Sequence, residues 1–87
     1  MARYRILAWQ DIPTQVQAGD GSGRVSRHLP DWFMQEVDRV AMRDGLTGSE
    51  AYAERFAWSP WTEREGTADE VADAVTAELL ARWDREA

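Results

Sequence analysis

One histidine, His28, stands in Arg27-His28-Leu29-Pro30. A metal shell or a nucleophile–base pair needs further donors, and the 87 residues hold no cysteine and no second histidine. His28 therefore reads as an exposed or capping residue at a strand end. Carboxylates are plentiful, notably Asp69/Asp73 and Glu50/Glu54. At i, i+4 on exposed helix faces such pairs repel mildly and serve solvation, whereas acid–base work needs environments that drive two pKa values apart. The segment Gly19-Asp20-Gly21-Ser22-Gly23 invites comparison with a phosphate loop, but it lacks the lysine and the following helix that a P-loop requires. No catalytic residue, cofactor site or metal site is assigned, and the expectation is a protein that is not an enzyme.

What remains is an unusual supply of tryptophan and arginine. The chain has five tryptophans, and all ten of its basic residues are arginine, which favours planar, bidentate contacts. Trp83 falls on the apolar stripe of the last helix. Trp9 lies on a strand that could bury either side, and Trp32, Trp58 and Trp61 are hard to bury together in so small a domain. Tryptophan and arginine dominate interface hot spots. Trp9, Trp58 and Trp61, with Arg3, Arg5, Arg24 and Arg27, are therefore the candidate interaction surface.

Charge narrows the partner. The net charge is -6, divided as +2 over residues 1–29 and -8 over residues 30–87. Such a chain is repelled by nucleic acid and by anionic membranes, so neither is expected as a partner. No apolar run approaches the ~20 residues that cross a bilayer. The N-terminal Arg3-Tyr4-Arg5-Ile6-Leu7-Ala8-Trp9 is too short for a signal peptide and reads as a strand. Freedom from cysteine suits a reducing cytoplasm.

These residues need elements to hold them. Arg3 to Gln10 is apolar on both sides, as in a central strand, with Pro13 ending or bending it. Thr14 to Arg27 alternates around the glycine-rich tip and predicts a hairpin. A helix opens near Pro30, buries Phe33, Val37, Val40 and Ala41, and stops at Gly45. Thr47 to Glu50 has capping-box spacing and predicts a short helix through Ala53. Phe56 to Thr62 reads as an edge strand or one broken at Pro60. Thr67 to Glu70 is a second capping box, opening a helix that buries Ala68, Val71, Ala72, Val75, Leu79 and Trp83, with Arg82 and Arg85 in its last turns. The expected fold is one α+β domain over residues 1–87: a mixed or antiparallel sheet of about 3–4 strands with two main amphipathic helices on one face.

The ordered set Trp9-Gln10-Asp11-Ile12-Pro13, Arg24-Val25-Ser26, Ala41-Met42 and Gly45-Leu46-Thr47-Gly48-Ser49, followed by Tyr52, Trp58, Trp61 and the closing helix, resembles the small bacterial virulence factor domain family. That domain occurs alone or at the end of conserved virulence factor C. The resemblance implies no catalytic residues and no cofactor. It implies an accessory role, since stand-alone relatives are encoded near enzymes of folate- and corrinoid-linked one-carbon metabolism.

The leading expectation is a non-enzymatic protein-interaction module. The alternatives are an accessory subunit of a one-carbon enzyme and a small phosphorylated-ligand binder using Arg24, Arg27 and the glycine tip. A homodimer would follow if the uncovered sheet face were apolar.

Overall fold

Three consecutive strands fold back on one another before any helix begins. The computed structural model describes residues 1–46, 48 and 50–84. β1 (Ala2–Trp9), β2 (Ile12–Asp20) and β3 (Gly23–His28) form an antiparallel meander. α1 (Asp31–Arg43) and α2 (Glu50–Glu54) follow, then the short strands β4 (Phe56–Trp58) and β5 (Thr62–Arg64), and finally α3 (Ala68–Asp84). The sheet runs β3-β2-β1-β4, with β5 also on the free edge of β1. The fold is α+β, as expected.

The first turn differs from the sequence reading. β1 ends at Trp9, and Gln10 takes φ 56, a left-handed conformation uncommon for a residue with a side chain. Its N–H donates to the Arg55 carbonyl at 3.0 Å. Pro13 lies inside β2, opposite Ala8, where the register shifts between Leu7 and Ala8. A bulge tolerates the missing proline donor. The buried Thr14 hydroxyl donates to the Leu7 carbonyl at 3.0 Å across this irregularity.

The second turn is shaped by Asp20 rather than by glycine. Gly19, Gly21 and Gly23 all avoid positive φ. One Asp20 carboxylate oxygen accepts the N–H groups of Ser22 (2.7 Å) and Gly23 (3.1 Å), and the other accepts that of Ala68 (2.8 Å). One side chain thus closes the hairpin and caps the start of α3. These donors hold the Asp20 carboxyl below its ordinary pKa, that of Ala68 first and then that of Ser22.

Pro60 splits the outer strand in two. Between β4 and β5 the Ser59 N–H donates to the Ile6 carbonyl at 2.8 Å, and the Ile6 N–H donates to the Ser59 hydroxyl at 2.9 Å. A side chain thereby continues the ladder where proline cannot.

Helix limits follow the sequence signals. Gly45 has φ 72, and the Leu46 and Gly45 N–H groups bond the Ala41 and Met42 carbonyls in a Schellman arrangement. The Thr67/Glu70 capping box forms in both directions, at 3.0 and 3.2 Å. Thr47 and Arg85 lie outside the described residues. α3 packs on β1, β2 and β3, while α1 packs on β2. Phe33 meets Trp83 edge-on at 5.9 Å and joins the two helices. The core gathers Trp9, Val16, Phe33, Val37 and Val71 as its largest fully buried side chains.

Candidate functional site

Strand alternation sorts the arginines. Arg24 and Arg27 are three residues apart, so they face opposite sides of β3. Arg27 faces α3, where it bonds Asp69 at 2.9 Å and Asp73 at 3.0 Å. Those carboxylates, Asp69 foremost, raise the Arg27 pKa further. Arg27 therefore leaves the candidate surface and is a structural tie, and the Asp69/Asp73 pair is held by one guanidinium. Arg64 ties the same helix to β5 through Glu78, whose pKa it lowers.

Trp9 also leaves the candidate surface. It shares its side of β1 with Arg3 and Arg5, yet it is 0% exposed. Tyr52 of α2 covers it with ring centres 5.7 Å apart, and the Trp9 indole N–H donates to the Tyr52 carbonyl at 2.7 Å. Tyr52 in turn packs on Phe56 and donates its hydroxyl to Asp38. Burial, then Asp38, raises the Tyr52 pKa. One end of this sheet face is thus closed by α2.

The other end stays open and carries the remaining candidates. Cross-strand pairing sets Arg24, Gly19, Arg3 and Glu63 in one row, and Ser26, Gln17 and Arg5 in the next. The Arg5 guanidinium carbon lies 4.1 Å from the Trp58 ring centre and 4.5 Å from that of Trp61. Gln17 accepts the Arg5 Nε–H at 2.9 Å and fixes the guanidinium in place. Arg3 and Arg24 approach the Trp61 ring at 5.2 and 5.9 Å. Trp58 is among the few large apolar residues left exposed, at 37%. The structure therefore brings together Arg3, Arg5, Arg24, Trp58 and Trp61.

Gln17 and Glu63 complete this face and were not among the candidates, while Gly19, read from the sequence only as part of the hairpin tip, lies between Arg3 and Arg24. Their signal was the hairpin register: a two-residue turn after Asp20 sets Gly19 across from Arg24 and Gln17 across from Ser26. Gly19 leaves the floor between Arg24 and Arg3 without a side chain. A cleft of about 700 Å³ opens there, lined by Arg3, Arg24, Trp61, Glu63 and the tip backbone. The Ser22 and Gly23 amides are already taken by Asp20, so the tip does not work as a phosphate loop. His28 ends β3 exposed, as expected, and no cluster of metal-binding side chains occurs among the described residues. Among them, no helix is long and apolar enough to cross a membrane.

The virulence factor family profile matches residues 7–87, which take in the end of β1, the other four strands, all three helices, Trp58 and Trp61, while Arg3 and Arg5 precede the matched segment. The chain belongs to the virulence factor family. No curated protein and no solved structure matches it. Membership supplies no reaction and no site residue for this virulence factor domain, so the reading of its open face rests on the geometry.

Proposed function

We propose that this domain is a non-enzymatic protein-interaction module whose docking surface is the open sheet face bearing Arg3, Arg5, Arg24, Trp58 and Trp61. The observation that carries this reading is the Arg5 guanidinium packed against the Trp58 and Trp61 rings, with Gln17 accepting its Nε–H. A guanidinium stacked on aromatic rings keeps free N–H donors at its edge and loses less side-chain freedom on binding. The exposed Trp58 beside it supplies the apolar anchor typical of a hot spot.

Charge selects the partner. Arg3, Arg5 and Arg24 form no ion pair among the described residues, whereas Arg27, Arg39, Arg43 and Arg64 each have a carboxylate partner. Three unneutralised cations on a chain of net charge -6 favour a partner presenting carboxylates. The same cations disfavour a second copy docked face to face, which would set arginine against arginine.

Photo-crosslinking in the native host tests this. A benzophenone amino acid at position 58 is expected to trap a specific protein, identified by mass spectrometry. The same probe at Ala77, an exposed position on α3, is the control. Identical adducts from both positions would refute docking through the open face.

A further inference from the structure

The geometry points to a second role for one end of this face: the cleft between the hairpin tip and β5 is a binding site for a small phosphorylated ligand, held by Arg3 and Arg24. The site shares Arg3, Arg24 and Trp61 with the docking face but does not use Trp58, where docking is tested.

Three features of the cleft converge on it. The first is charge placement. Arg3, Arg5 and Arg24 all turn toward one indole, that of Trp61, at 5.2, 4.5 and 5.9 Å. Like charges gathered this closely repel unless something neutralises them. Of the two nearby carboxylates, Asp20 is committed to the amides of Ser22, Gly23 and Ala68. Glu63 stands across from Arg3 but forms no ion pair with it among the described residues, and it leaves the cluster cationic.

The second feature is shape. In the row Arg24–Gly19–Arg3 the central residue has no side chain, so the two guanidinium stems flank an empty floor. The resulting cleft of about 700 Å³ has the size of a small-molecule site. Gly19 is not required by the backbone: its φ is not positive, and an added Cβ would meet only the Gly23 carbonyl oxygen, at an ordinary 3.7 Å. The row therefore tolerates a side chain and lacks one.

The third is chemistry. Two guanidiniums present planar forks that match the oxygens of a phosphoryl or pyrophosphoryl group and its double charge. The surrounding field is negative, with net charge -6, which disfavours long polyanions and leaves small ones.

Calorimetric titration with pyrophosphate tests the site, using the whole domain, an Arg3→Gln/Arg24→Gln variant and a Gly19→Val variant. The wild type is expected to bind. The double variant should bind at least about tenfold more weakly, as when charge-assisted hydrogen bonds are removed. Gly19→Val keeps every charge, and valine suits a strand, so it should stay folded by circular dichroism while losing binding through occlusion of the floor. No heat at about 10 mM pyrophosphate, where a millimolar site would be mostly filled, overturns the proposal. Undiminished binding in Gly19→Val also overturns it, since the anion would then be answering net local charge and not a built site. Neither result bears on crosslinking at position 58, so the two readings fail separately.

Discussion

The Arg5 guanidinium carbon sits 4.1 Å from the centre of the Trp58 ring, on the half of the sheet face that α2 leaves open. Four residues along the same strand, Trp9 is sealed beneath Tyr52. Both tryptophans border β1 on the same side, yet one is core and the other is surface.

That contrast predicts opposite stability effects. Trp9→Ala removes the largest fully buried side chain and leaves the Tyr52 carbonyl only the Arg55 N–H, so it should cost about 3–5 kcal/mol. Trp58→Ala removes a partly exposed stack on Arg5 and should cost about 0.5–1 kcal/mol. Urea unfolding of both variants measures the difference.

Ser59 stands in for a broken ladder. Ser59→Ala leaves the Ile6 N–H without its acceptor, beside a proline that cannot replace it. The expected loss is about 1–3 kcal/mol in chemical denaturation. Ser59→Thr retains the hydroxyl and should recover most of it.

The Asp20 link carries a pH signature. Its folded pKa lies below the ordinary 3.8 because amides of Ala68, Ser22 and Gly23 stabilise the anion. A depressed carboxyl contributes stability that is fully present above its unfolded pKa and is lost as pH falls through the folded value. The melting temperature of the wild type should therefore exceed that of Asp20→Asn at pH 6. The gap should shrink as pH drops below about 3.8.

Arg27 is expected to act on the fold and not on binding. Arg27→Ala leaves Asp69 and Asp73 repelling one turn apart on α3, and it should lower the melting temperature. Adding Asp73→Asn should restore part of the loss, and high salt should narrow the difference.

Much of this was legible in the chain. Capping boxes and apolar stripes act within a few residues, so the Thr67/Glu70 cap, the Gly45 stop and the buried face of α3 could be read directly. The sheet was less legible because its details depend on contacts far apart in sequence. Pro13 looked like a strand terminator, but the bulge at Leu7/Ala8 accommodates it inside β2. Arg24 and Arg27 were grouped by proximity, although an odd spacing on a strand already separates them. Trp9 could not be assigned from the strand alone, since its cover comes from Tyr52, 43 residues away. The open face follows from the same long-range fact: α2 closes one end and leaves Trp58 and Trp61 at the other.

The most direct test of the docking face uses one preparation of the Trp58→Ala/Trp61→Ala variant, measured twice. Thermal unfolding and affinity capture from the native host are compared with the wild type, each captured protein being quantified by mass spectrometry. The account predicts a cooperative transition near that of the wild type together with loss of a specific partner. A variant that unfolds would contradict it by making those residues core, and a folded variant that keeps every partner would contradict it by placing the interface elsewhere.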